Sequence, residues 1–198
     1  MTPRPILFMD TETTGLKEGK AALTQLAALF VHKRGIVDRI DLLIKPEVGL
    51  VIDSQALKIQ GRTHAEILGH ELSEHDACLM FTTFVNKNVN KYSEDGQVRA
   101  GGHNIGAFDL PHIAAAFERQ GLRLPYEFDN KDVHVDTLKI SQSNFDKKAG
   151  IVANHKLGTM CEYFSISLDG AHNAMADILA TFELWLALVD YIEQKEAA

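Results

Sequence analysis

Asp10 and Glu12 stand two residues apart at the end of a short apolar run, Ile6-Leu7-Phe8-Met9. In an extended strand this spacing puts both carboxylates on one face, with Cα atoms about 7 Å apart, and turns Thr11 to the other. Two hard oxygen ligands at a strand end suit Mg²⁺, which is usually held by one or two carboxylates together with substrate phosphate. A D-x-E tripeptide alone is also explained as a solvated strand end. Asp109 follows Gly101-Gly102-His103-Asn104 at the start of a helix, where strand end and helix N-terminus open together, although an acid there also suits the helix dipole. His172 and Asp177 are five residues apart. On one continuous helix they would lie roughly 140° apart and share no face. The spacing therefore places His172 on the approach to a helix capped by Asn173, with Asp177 in its early turns, so that both converge.

The elements that must position these groups are legible in outline. Residues 6–9, 23–32 and 39–45 predict a three-strand meander, and Val98–His103 and His134–Leu138 predict two further strands. Helical spacing runs over Ser54–Leu68, with Gly69 closing it, and over Ser73–Lys91; Ser54 and Ser73 are the expected N-caps. Phe108–Gln120 predicts a helix with Pro111 in its first turn and Gly121 beyond its end. Lys156–Phe164 predicts a short helix and Ala174–Gln194 a long amphipathic one. The order implies a mixed sheet flanked by helices. No repeat or linker divides the chain, so residues 1–198 are expected to form a single domain, with no Leu/Phe-rich tail after Ala198.

Composition excludes other classes. With 45% hydrophobic and 24% charged residues, the chain can bury a sizeable core without staples. Cys78 and Cys161 form no CxxC pair, which excludes a disulfide scaffold and suggests a reducing, cytoplasmic setting. The apolar run near the C-terminus is broken by Glu183 and Asp190, so no membrane span is expected. A net charge of −7 argues against coating long nucleic acid through counterion release. It leaves room for an enzyme that grips a few nucleotides.

Asp10-Thr11-Glu12-Thr13-Thr14-Gly15-Leu16, then His103 to Asp109, then His172-Asn173-Ala174-Met175-Ala176-Asp177 resemble the three ordered motifs of the DEDDh, or DnaQ-like, 3′-to-5′ exonucleases. The likeness runs from about Ile6 to Thr181. The second motif's spacing looks more like that of family B polymerase exonuclease domains; the third, with His172 five before Asp177, marks the His subclass. The resemblance implies a ribonuclease H-like α/β fold, a five-stranded mixed sheet with helices on both faces.

It also implies roles. Asp10, Glu12, Asp109 and Asp177 would hold two Mg²⁺, with Mn²⁺ as substitute, and His172 would act as general base on the attacking water. Thr13, Thr14, Gly15 and Leu16 would meet the terminal nucleotide, or form a plain turn. His103, Asn104 and Phe108 are weaker substrate contacts, and Phe108 also suits the core. Asp136, Phe182 and Trp185 read as structural, and Lys147, Lys148 and Lys156 as a solvated charge run or a phosphate path. The expected reaction removes 5′-mononucleotides from the 3′ end of single-stranded or frayed DNA. RNA trimming is the alternative, and a binding subunit without turnover a further one. A polymerase or another replication or repair protein is the expected partner.

Overall fold

The computed structural model describes residues 4–89, 98–125, 134–145 and 150–197. Among these residues five strands form one sheet: β1 (Ile6–Thr13), β2 (Leu23–His32), β3 (Gly35–Leu43), β4 (Arg99–Gly102) and β5 (Val135–Asp136), in the order β3-β2-β1-β4-β5. β1 is antiparallel to β2 and parallel to β4, so the sheet is mixed. The helices are α1 (Ser54–Ile59), α2 (His64–Leu68), α3 (Glu74–Asn88), α4 (Asp109–Arg119), α5 (Thr137–Asn144), α6 (Leu157–Tyr163) and α7 (Ala174–Ala197).

Alternation along β1 assigns each face its helices. Leu7 and Met9 pack with Phe81 of α3 and Phe117 of α4. Ile6 and Phe8 point the opposite way, toward Ile178 and Phe182 of α7. The Phe8 and Phe182 rings meet edge-on with centroids 6.0 Å apart, and Trp185 packs beside them. Phe182 and Trp185 are thus structural, as the sequence implies. β4 approaches β1 closely because of its glycines. A Cβ at Gly102 would lie 2.9 Å from the Met9 carbonyl oxygen, a backbone atom next to Asp10.

Three predicted elements differ. The helix expected over Ser54–Leu68 is two, because Gly61 adopts φ +65° and Thr63 caps a new start by accepting from Glu66 N. The first of these is capped by Asp53, not Ser54, whereas Ser73 caps α3 as expected. The strand expected over His134–Leu138 lasts two residues, since the Asp136 carboxylate accepts from Leu138 N and starts α5, a helix the sequence reading did not foresee. The helix expected to reach Lys91 ends at Asn88, where Val89 turns extended; residues 90–91 lie outside the described residues. Both cysteines are buried and free. Among the described residues, no helix is long and apolar enough to cross a membrane.

Candidate active site

Strand alternation also sorts the acids. Asp10 and Glu12 share the phase of Ile6 and Phe8, so their side chains face α7, which carries Asp177. Carboxylate oxygens of Asp10, Glu12 and Asp177 lie within 4.8 Å of one another. Thr11 has the opposite phase and faces α4, whose first residue is Asp109. The Thr11 N–H and hydroxyl both donate to Asp109 Oδ1, at 3.0 and 2.8 Å. Asp109 is therefore outside the three-acid cluster but tied to the strand residue between its two members.

The loop before α7 follows the sequence expectation. Asn173 Oδ1 accepts from Met175 N at 3.1 Å and Ala176 N at 3.3 Å, which caps the helix. His172 sits just outside with φ +66°, its backbone N–H donating to Asp177 Oδ2 at 3.1 Å. The His172 side chain belongs to an exposed residue at the rim.

Crowding of like charges shows in the proton affinities. Burial, then the charges of Asp109, Asp177 and Glu12, raises the Asp10 carboxyl well above the usual carboxylate range. Burial and the Asp177 charge push Glu12 up to about 7, against the opposing pull of Arg62. Burial likewise raises Asp109, resisted by the two Thr11 hydrogen bonds. Asp177 is raised by burial and lowered by the His172 N–H and charge. Asp177 Oδ1 is buried without a hydrogen-bond partner. A buried anionic oxygen left bare beside two other carboxylates calls for a cation, and hard oxygen donors of this kind suit Mg²⁺ or Mn²⁺.

The remaining candidates are distributed around this cluster. Thr13 Oγ1 donates to the Gly15 carbonyl at 2.7 Å; Thr14 Oγ1 donates to the Val51 carbonyl at 2.6 Å and accepts from Ala22 N. Both hydroxyls thus hold the turn, while the Leu16 side chain stands free, the residue being 82% exposed. His103 Nδ1 lies 2.9 Å from Thr137 Oγ1, and burial lowers its proton affinity. Asn104 adopts φ +70° and donates its N–H to Asp136 Oδ1, so Asp136 is used in the fold. Phe108 is half-buried against the His112 ring, centroids 4.6 Å apart. Lys156 is exposed; Lys147 and Lys148 lie outside the described residues.

Three polar side chains that the sequence reading missed brace the cluster from behind. Gln25, fully buried on β2 opposite Glu12, accepts from Arg62 Nη2 at 2.8 Å and from Ala174 N at 3.2 Å. Its amide nitrogen donates to Asp41 at 2.8 Å and to Asn173 Oδ1 at 3.4 Å. Gln60 donates to the Thr13 carbonyl at 2.8 Å. The available signal was a glutamine inside the otherwise apolar LTQLAALFV.

A family model described as exonuclease, of the RNase T type, matches residues 7–185. The chain belongs to this exonuclease family. It is 30% identical over 192 residues, 97% of its length, to the DNA polymerase III PolC-type of Lacticaseibacillus paracasei, of which it spans 11%. E. coli exonuclease I in complex with a dT13 oligonucleotide superposes with a TM-score of 0.78 at 20% identity, over 98% of this chain and 42% of that one. The zinc-bound form of the E. coli ExoI–ssDNA complex gives 0.76 at 20% identity, over 96% and 43%. The fold of this chain is thus the ribonuclease H-like one, and the chain spans about a ninth of the polymerase it matches and about two fifths of exonuclease I.

Proposed function

We propose that this exonuclease removes nucleotides one at a time from the 3′ end of single-stranded or frayed DNA, releasing 5′-mononucleotides. The observation that carries this reading is the cluster of Asp10, Glu12 and Asp177 with a bare, buried Asp177 Oδ1 and the rim histidine tethered to the same carboxylate. Asp10, Glu12 and Asp177, with Asp109 beside them, would hold two Mg²⁺ or Mn²⁺. When bound, the cations lower the pKa of a coordinated water and stabilise charge on the departing 3′ oxygen.

The chain's own residues do the rest. Four carboxylates offset the charge of two divalent cations, so the loaded site is close to neutral before a phosphate enters. Exposed at the rim, His172 can take a proton from the attacking water and pass it to solvent. Its backbone hydrogen bond to Asp177 keeps base and acid in register. The free Leu16 side chain, at the end of the motif strand, can lie against the terminal base, while Thr13, Thr14 and Gly15 shape the turn that carries it. His103, Asn104 and Phe108, in the stretch from β4 to α4, would add weaker contacts to the substrate.

A DNA substrate is supported by the relatives, one a DNA polymerase and the other a nuclease crystallised with dT13. The polymerase relative likewise supports a replication or repair polymerase as partner. The test is a 5′-labelled single strand, as DNA and as RNA of the same sequence, incubated with Mg²⁺ or with EDTA. The proposal expects a descending ladder on DNA with Mg²⁺, abolished by Asp10→Ala. A single internal product, equal activity in the mutant, or faster digestion of RNA would overturn it.

A further inference from the structure

The two ends of the candidate site are held together by one exposed corner. The turn between α1 and α2 contains Gly61 in the left-handed region, with φ +65°, and so points the side chains on either side of it, Gln60 and Arg62, at different targets. Gln60 reaches the carbonyl of Thr13, the residue after Glu12. Arg62 reaches Gln25 Oε1, and that same oxygen receives the N–H of Ala174, the first residue of α7. The amide nitrogen of Gln25 sits at the Asn173 cap oxygen. A helix start holds otherwise unpaired N–H groups, so an acceptor fixed in place there sets where the helix begins. One turn further on, α7 delivers Asp177, and just before it stands His172.

We propose that Arg62 is a positioning residue for this site: by fixing Gln25 it sets the N-terminus of α7, and with it Asp177 and His172, relative to Asp10 and Glu12. This rests on the exonuclease reading above. Gln25 has few alternatives once Arg62 is in place. Its carbonyl oxygen accepts from two donors and its NH₂ from β2 serves Asp41 and Asn173, so every bond locks the amide in one orientation. Arginine suits the task, since its planar fork loses little freedom on docking.

The alternative role for Arg62 is simple charge, because its guanidinium also opposes the proton affinity of Glu12. The two roles predict opposite signs. Removing a nearby positive charge should tighten cation binding to an acidic cluster; loosening the cluster's geometry should weaken it. Groups that orient metal ligands typically change metal affinity by about 10–100-fold when removed.

The experiment titrates Mn²⁺ alone into the full chain and into Arg62→Ala, Arg62→Lys, Gln25→Ala and the Arg62→Ala/Gln25→Ala double variant. It also follows amide hydrogen exchange of residues 174–177 in metal-free protein. Positioning predicts Mn²⁺ binding about tenfold weaker in Arg62→Ala, partial recovery in Arg62→Lys, faster exchange at the start of α7, and a double variant no weaker than Gln25→Ala alone. Equal or tighter Mn²⁺ binding by folded Arg62→Ala, unchanged exchange, or losses that multiply in the double variant would overturn it. Arg62 is only half-buried, so its variants decide the matter even where Gln25→Ala fails to fold. If wild-type protein leaves DNA intact, the functional reading fails, while the exchange measurement still judges the positioning role.

Discussion

Glu12→Gln should stabilise the metal-free protein and destroy its cation site. The Glu12 carboxyl moves from an ordinary 4.5 up to about 7, chiefly through burial and the Asp177 charge. At about 1.4 kcal/mol for each tenfold change in proton affinity, its ionised form costs the fold about 3 kcal/mol. The sign follows from linkage. A group whose affinity for protons is higher in the folded state contributes stability fully below its unfolded pKa, and that contribution is lost as pH rises through the folded value. The stability of wild-type protein in EDTA therefore falls between about pH 4.5 and 7.5, and Glu12→Gln, neutral throughout, removes this part of the decline. At pH 8 in EDTA the variant should melt about 6–12 °C above wild type, with little difference at pH 5. Mn²⁺ at about 1,000 times its Kd should reverse the order, since it adds about 4.1 kcal/mol to wild type alone, more than the substitution gains. Thermal melts by circular dichroism at the two pH values, with EDTA or Mn²⁺, read all of this. A variant less stable than wild type at pH 8 in EDTA, or equally shifted at both pH values, would refute the reasoning.

Three other perturbations probe separate links. His172→Ala should slow single-turnover digestion by about 10²–10⁴-fold with melting temperature and Mn²⁺ binding nearly unchanged; a variant as fast as wild type removes the assigned base. Asn173→Ala forfeits the cap at Met175 N and Ala176 N, costing about 1 kcal/mol, and should lower denaturant midpoint and activity together. Gly102→Ala puts a methyl 2.9 Å from the Met9 carbonyl oxygen and should destabilise by about 1–3 kcal/mol, read by urea unfolding; an unchanged midpoint would show that β4 can move without cost.

The alternation of β1 made much of this legible before any coordinates. Once Ile6 and Phe8 face one layer and Leu7 and Met9 the other, Asp10 and Glu12 must share a face, and the structure puts α7 against it. The placement of His172 outside the helix followed from an angle, and the Asn173 cap from the residue type. What the sequence concealed lay where a short-range signal was outvoted by a longer one. Residues 54–68 keep helical spacing through Gly61, so the corner that presents Gln60 and Arg62 was invisible. Val135-Asp136-Thr137 reads as strand, and only the pairing of Asp136 with both Leu138 N and Asn104 N shows that it starts a helix. Gln25 looked like one polar residue in an apolar strand; its four partners come from three distant segments, which no local pattern encodes.

The most direct test of the central claim is a crystal of this chain grown with Mn²⁺ and a nucleoside 5′-monophosphate, read by anomalous scattering. Two manganese peaks about 3.5–4 Å apart, ligated by Asp10, Glu12 and Asp177 with the phosphate between them and His172, are the predicted result. Manganese bound elsewhere, or no peak at these carboxylates at saturating concentration, would contradict it.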